Sequence, residues 1–303
     1  MGNPEFAIPT LKAIKKSNHA LVSIVSNVPK KIGRKRKLLL TPVGKFAKDQ
    51  SIPLIEAESL LSIDLKNKLI DLKPDIFVVV AYRILPEALI CIPKYGAINL
   101  HASLLPKYRG AAPIQWSLMN GDSVTGITIF KINPKVDTGS ILIQKEMKIH
   151  ASDNMFTLGM RLCKEGATLA IKALNKIEKG TIISVKQNSK MMSRAPKITK
   201  EMLFIDWNWP AEKIHNWVRG LSPKPGMITL LNKRRLRILK TKSLNGCEGK
   251  PGTIYSINPN EVLISTGEGL LSLIEVQLEG KRVLPIIEFL KGMKLKSGVV
   301  LGK

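Results

Sequence analysis

Ala97-Ile98-Asn99-Leu100-His101-Ala102-Ser103-Leu104-Leu105-Pro106-Lys107-Tyr108-Arg109-Gly110-Ala111-Ala112-Pro113-Ile114-Gln115, completed downstream by Val136-Asp137-Thr138-Gly139, is the stretch around which the chain is organised. It opens as a strand: residues 95–100 are mostly apolar and follow a turn at Pro93-Lys94. On an extended chain Asn99 and His101, two residues apart, point to the same side. The loop that follows is long and holds two prolines, a glycine and two cations. Loops at the carboxyl ends of parallel strands are where open α/β sheets bind ligands.

The chemistry of these groups is specific. Asn99 can donate a hydrogen bond to a developing oxyanion. His101 can donate as well, or shuttle a proton near neutral pH. A carboxylate beside the ring would fix its tautomer and stabilise its charged form. Asp137, in a turn after the strand expected over residues 126–132, can return to the same rim for that role or act as base. No covalent nucleophile is needed if a neutral amine attacks a carbonyl whose oxygen is held, so the set suits acyl transfer between nitrogens. The residues alone leave plainer roles open: Asn99 bonding a turn backbone, His101 structural, Asp137 an ordinary turn former.

Residues 99–114 closely resemble the signature of methionyl-tRNA formyltransferases, and the shorter Asn-x-His with a downstream Asp-x-Gly resembles the core shared by transferases that use 10-formyltetrahydrofolate. The resemblance implies catalytic roles for Asn99, His101 and Asp137 and a folate pocket lined by Ser103, Leu104, Leu105 and Pro106. It runs nearly end to end except at the N-terminus. There Gly2-Asn3-Pro4-Glu5-Phe6-Ala7-Ile8-Pro9 resembles the loop and helix start that follow a first strand, and only Met1 precedes it. The expectation is that a start upstream supplies that strand, and that without it two ladder edges are exposed.

Composition narrows the class. The 303 residues suffice for two cores, and no apolar run reaches membrane-spanning length, so a soluble chain is expected. With aromatics at 5%, those cores should be aliphatic. There are 48 Lys and Arg against 23 Asp and Glu, giving a net charge of +25, for which a polyanion such as RNA is the simplest partner. An even spread of lysine would mean less, so clustering is what matters. Cys91, Cys163 and Cys247 lie far apart without a Cys-x-x-Cys, which argues against a disulfide framework or a zinc site and fits a reducing cytoplasm. Cys163 reads as core. No signal-peptide pattern opens the chain, and Phe6 stands where a myristoylation pattern would want Ser or Thr.

Taken in order, residues 10–16 read as a helix and 21–26 as a buried strand. Six of the eight residues from Lys30 to Lys37 are cationic, with Pro29 and Gly33 nearby to argue against a regular helix. By the resemblance this is a basic loop that enters the tRNA acceptor arm, with Arg34, Lys35, Arg36, Lys37 and Leu38 in contact. Thr41 caps the next helix. A strand over 52–55, a helix over 59–72 and a continuous apolar strand over 75–82 follow; the last is expected to be covered on both faces. Arg83-Ile84-Leu85-Pro86 is shorter than the corresponding loop in many family members. Residues 113–120 read as a short helix, and 125–132 and 141–148 as strands framing the Asp137 turn. Asp153 is expected to cap a helix to Glu178 whose core stripe is Leu158, Leu162, Leu169, Ala173 and Ile177. Residues 182–185 read as a last strand, and 186–200 as a polar, basic linker.

Beyond it the character changes. Residues 210–221 read as a helix. Five β-rich runs, 227–231, 235–239, 252–257, 262–266 and 270–276, suggest a small barrel of the oligonucleotide-binding type, closed by a helix over 282–290. Lys233, Arg234, Arg235, Arg237 and Lys240, with residues 291–296, suit a surface that tracks a nucleic-acid backbone.

The expectation is therefore an α/β chain: an N-terminal Rossmann-like doubly wound sheet of the formyltransferase type over residues 1–186, a basic linker over 187–204, and an OB-like β-barrel that binds tRNA over 205–303. The resemblance implies transfer of the formyl group of 10-formyltetrahydrofolate to the α-amine of initiator methionyl-tRNA for translation initiation, with no metal, no membrane, a cytoplasmic location and a monomer. A formyltransferase for a small amine would share the three site residues without needing the basic insertion or barrel. A non-catalytic RNA-binding protein would not need the three residues.

Overall fold

The computed structural model describes residues 1–32, 37–246 and 249–302. The chain forms two compact units, the first Met1–Pro113, Val124–Lys148 and Gly159–Ala195, the second Ile114–Ser123, Ile149–Leu158 and the chain from Pro196 onward. In order, the elements up to the first long helix are α1 (Ile8–Lys16), β1 (Ile24–Asn27), β2 (Lys30–Ile32), β3 (Lys37–Leu39), α2 (Pro42–Asp49), β4 (Leu54–Ala57), α3 (Ile63–Asp71), β5 (Phe77–Val80), α4 (Glu87–Ile90), β6 (Ala97–His101), α5 (Pro113–Met119), β7 (Val124–Lys131), β8 (Ile141–Lys148) and α6 (Met155–Glu178).

Local chemistry sets several boundaries. Thr41 Oγ1 accepts from the Gly44 N–H, and Pro42 opens α2 without a donor to waste. Ser62 Oγ accepts from Leu65 N–H, so α3 begins at Ile63, four residues later than the apolar spacing from 59 suggests. Asn154, not Asp153, caps α6: its Oδ1 accepts from Phe156 and Thr157 N–H, while Asp153 Oδ2 accepts from His150 N–H one turn earlier. The expected α6 stripe is buried throughout. The strand expected over 182–185 is reduced to a single bridge between Ile141 and Val185.

The first unit is Rossmann-like. β5 and β6 pair in parallel, and β7 and β8 extend that sheet antiparallel in the order β5-β6-β7-β8. β1 and β4 form a separate parallel pair. Two residues link the pieces. Gly2 N–H donates to Val25 O at 3.1 Å, Val80 N–H donates to Met1 O at 2.9 Å, and the Met1 amine donates to Val78 O at 2.7 Å. One side of this two-residue bridge is an apolar cavity of about 220 Å³, lined by Met1, Leu11, Val25, Leu69, Phe77 and Val78 among others. The expected exposure of two ladder edges thus takes the form of a slot. Around β5 the core is aliphatic, with Leu65, Leu69, Phe77, Val79, Leu85 and Leu89 all buried. β2 and β3 pair antiparallel, with Lys30 opposite Leu39 and Ile32 opposite Lys37.

The second unit holds α7 (Ala211–Leu221), then β9 (Met227–Leu231), β10 (Arg234–Leu244), β11 (Ile254–Asn258), β12 (Glu261–Ser265), β13 (Leu270–Leu278), β14 (Leu284–Pro285) and α8 (Ile286–Gly292). Its strands are antiparallel in the order β11-β12-β13-β10-β9, with β14 on β13, and among the described residues β9 and β11 do not pair. The C-terminal unit is thus a β-sheet domain, with no closure of the expected small barrel detected among the described residues. Ile214, Val218 and Leu221 of α7 share one core with Ile238, Ile264, Leu271 and Val276. Each such burial contributes about 1.5–3 kcal/mol. Among the described residues no helix is long and apolar enough to cross a membrane.

Candidate active site

β6 delivers Asn99 and His101 to one face, as alternation on a strand requires. His101 is 6% exposed and Asn99 half-buried. The half-buried Asn99 carboxamide has no hydrogen-bond partner among the described residues. His101 Nε2 donates to Tyr108 O at 2.8 Å, which assigns the proton to that nitrogen. Its Nδ1 lies 3.7 Å from Asp137 Oδ2. Phe130 stands edge-on to the ring at 6.4 Å between centroids. The structure thus brings His101 and Asp137 together, with Asn99 one strand repeat away. Acceptors face both ring nitrogens, and the amide beside them is uncommitted.

The loops that meet here are held in left-handed backbone conformations. Tyr108 has φ 61°, Asp137 φ 51° and Gly110 φ 126°. Gly110 is required twice over: its φ suits glycine, and a Cβ would sit 2.6 Å from Ala195 O. Its N–H donates to Asp137 Oδ2 at 2.8 Å. Asp137 is therefore fixed from the signature loop as well as by its own turn, where Thr138 Oγ1 donates to Asn133 Oδ1 at 2.8 Å.

Residues 103–106 divide in two. Ser103 and Leu105 are buried and bonded inward: Ser103 Oγ donates to Lys107 O, and Leu105 N–H donates to Thr128 Oγ1. Thr128 Oγ1 in turn donates to Ser103 O at 2.7 Å, and Gln144 Nε2 donates to Leu105 O at 2.8 Å. Leu104 and Pro106 are half-buried. Thr128 lies opposite His101 on β7, and Gln144 opposite Thr128 on β8. Sequence reading missed both, although a hydroxyl inside the apolar run of residues 127–130 was a visible signal. It also missed Gln187. The segment read as linker is pinned at Ser193 and Ala195: Tyr108 N–H donates to Ser193 Oγ and Arg109 N–H to Ser193 O, while Ala195 N–H donates back to Arg109 O.

Other candidates fare differently. Arg34, Lys35 and Arg36 lie outside the described residues. Lys37 and Leu38 are exposed on β3. In the second unit, β10 alternates: Leu236, Ile238 and Thr241 face inward, and Arg235, Arg237, Lys240 and Lys242 face out, with a bulge between Ile238 and Lys240 keeping the cations on one side. With Lys233 and Arg234 they form a cationic face, and none of the six makes an ion pair among the described residues. Burial pushes the Cys163 thiol pKa up, as suits a core residue. No cluster of three metal-ligating side chains occurs among the described residues.

Comparison with known proteins gives this arrangement a class. Residues 1–174 match the family model described as Formyl transferase, and residues 197–294 the one described as Formyl transferase, C-terminal domain. The fold is that of the formyl transferases. A methionyl-tRNA formyltransferase of Thermodesulfovibrio yellowstonii is 42% identical over 299 residues, 98% of this chain and 96% of that protein. One from Citrifermentans bemidjiense is 38% identical over 304 residues, 100% of this chain and 95% of that protein. The chain belongs to the methionyl-tRNA formyltransferase family. Among solved structures, the N-formyltransferase from Helicobacter canadensis, in complex with folinic acid and dTDP-3-aminofucose, is similar in fold, with a TM-score of 0.67 and 23% identity over 90% of this chain and 96% of that one.

Gly139 closes the Asp137 turn, and a Cβ there would meet Lys131 O at 1.6 Å, whereas one at Gly180 would meet nothing within 4 Å. Gly139→Ala should therefore cost about 3 kcal/mol or more, against about 1–2 kcal/mol for Gly180→Ala, where only the left-handed φ is strained. Urea denaturation of the two variants side by side checks the difference.

Proposed function

We propose that this chain transfers the formyl group of 10-formyltetrahydrofolate to the α-amine of initiator methionyl-tRNA, the reaction named for its relatives. The single observation that carries the reading is the His101–Asp137 pair beside an unpartnered Asn99 amide on one strand face. When bound, 10-formyltetrahydrofolate supplies a formyl carbon open to attack by an amine. The residues fit such a group: an uncommitted amide seeks an acceptor, which a formyl oxygen is, and Leu104 and Pro106 offer apolar surface while Ser103 and Leu105 hold their loop in place.

In the proposed mechanism Asn99 donates to the formyl oxygen as negative charge develops on it. His101 adds a second donor when Nε2 leaves Tyr108 O. Asp137 orients the ring and stabilises its charged form, and it helps remove the proton of the attacking amine, directly or through water; the bond from the formyl carbon to N10 of the folate would then break, with N10 taking up a proton and leaving as tetrahydrofolate. The cations of β10, with Arg34, Lys35, Arg36 and Lys37, bind tRNA phosphate in this reading, and Leu38 contacts the tRNA beside them. It extends to an OB-like second domain over residues 205–303, joined by a linker over 187–204 to a catalytic domain over 1–186, in a cytoplasmic monomer. A small-amine substrate accounts less well for a strand whose outer face is cationic along its length.

Asn99→Ala should lower turnover by about 10²–10³ with the fold intact; near-normal formylation of charged tRNA would sink the role given to Asn99. Replacing Arg235, Arg237 and Lys240 together by Ala should flatten the dependence of log K for tRNA on log salt by about 2–3. A filter-binding titration across salt reads this directly, and an unchanged slope would remove β10 from the interface.

A further inference from the structure

Gln187 lies in a stretch that reads from sequence as a solvated tether, yet it is 7% exposed and makes four hydrogen bonds. Its Nε2 donates to Asp137 O at 2.9 Å and to Gly139 O at 2.7 Å. Its Oε1 accepts from Arg109 Nε at 3.0 Å and from Arg109 Nη2 at 2.6 Å. A carboxamide offers two donors and two acceptor sites, so every position is used. The partners are chosen with equal economy. One side is the backbone of the turn that holds Asp137 at φ 51°. The other is the arginine of the signature loop, next to Gly110, whose N–H holds the Asp137 carboxylate. Gln187 is thus the bridge that closes a ring from Asp137 main chain through Gln187 and Arg109 to Gly110 and back to the Asp137 side chain.

We propose that Gln187 is a positioning residue for the formyl-transfer site: it fixes the Asp137 turn against the Arg109-Gly110 loop and so sets the carboxylate at its distance from His101. This role rests on the reading of Asp137 as the carboxylate that works behind His101. A left-handed turn at a non-glycine residue persists only where its surroundings over-determine it, and here a buried side chain supplies two of the bonds that do so. Without Gln187, two carbonyls of the turn and the Arg109 fork lose their partner at once. The carboxylate is then free to leave its 3.7 Å approach to Nδ1. A displacement of that order in a catalytic group can cost about 10² in rate.

The test is a double-mutant cycle on formylation of initiator methionyl-tRNA by the full chain, with Gln187→Met, Asp137→Ala and the pair together. The expected result is a fall in kcat of about 10²-fold for Gln187→Met with KM for both substrates changed by less than about 3-fold, and no further loss when the substitution is made on the Asp137→Ala background. If Gln187→Met does not fold, Gln187→Glu takes its place. That variant keeps the acceptor for Arg109 as an ion pair and presents an oxygen, in place of the amide donor, to the carbonyls of Asp137 and Gly139. The same loss of kcat, again absent on the Asp137→Ala background, is expected. A folded Gln187 variant with kcat within about 3-fold of the parent overturns the proposal, and so does an equal fractional loss on both backgrounds. Retention of full kcat by Asp137→Ala overturns the underlying reading of the site and this role with it. That failure is recognised by the single variant alone.

Discussion

The contact on which the site depends is the bond from the Gly110 N–H to the Asp137 carboxylate. A charge-assisted bond of this kind is strong and directional, but it can form only where two loops far apart in sequence present their groups at the right height. Each loop reaches that height through backbone that most residues avoid, positive φ at Tyr108 and Gly110 on one side and at Asp137 on the other. The sheet supplies the fixed frame: β6 aims His101, and β7 and β8 present Thr128 and Gln144 to anchor the loop that leaves β6. The geometry of this cluster is therefore a property of the backbone bonds around Asn99, His101 and Asp137 as much as of those residues themselves.

Much of this was legible in the chain. Alternation placed Asn99 and His101 on one face, and the Val-Asp-Thr-Gly turn between two strands returned Asp137 to the imidazole. The continuous apolar run at residues 75–82 read as a strand covered on both faces, and the strand it forms is Phe77–Val80. Boundaries were less readable wherever a cap overrode periodicity: Ser62 and Asn154 set their helix starts through side-chain acceptors, and neighbouring polar residues looked equally suitable. Gln187 was invisible for a different reason. Its surroundings in sequence are lysines and a serine, and burial comes from partners some 50 and 78 residues away. The five β-rich runs were correct in kind, but periodicity describes a strand's two faces and says nothing of whether a sheet closes on itself.

The positive charge also acquires a location. An excess of cations spread evenly would act only as a diffuse field. On β10 the alternation that buries Leu236 and Ile238 forces their neighbours outward, so the packing demand of the core and the spacing of the cations are one pattern. The bulge between Ile238 and Lys240 preserves this by resetting the phase where the strand bends. The pair of β2 and β3 is different. It carries exposed Leu38 and Leu39 beside its lysines and is shaped by its own pairing rather than by a core.

The slot beside Met1 and Gly2 bears on how the first unit answers compression. The apolar cavity of about 220 Å³ beside β1 and β5 is packing space that side chains leave unfilled, and pressure favours its loss. Hydrostatic pressure, which favours the smaller total volume, therefore acts on the seam between β1 and β5 before it acts on the well-filled interior around Val79 and Leu89. The mechanically soft line of this unit runs between β1 and β5, where the described backbone bonds across the seam are those of Met1 and Gly2.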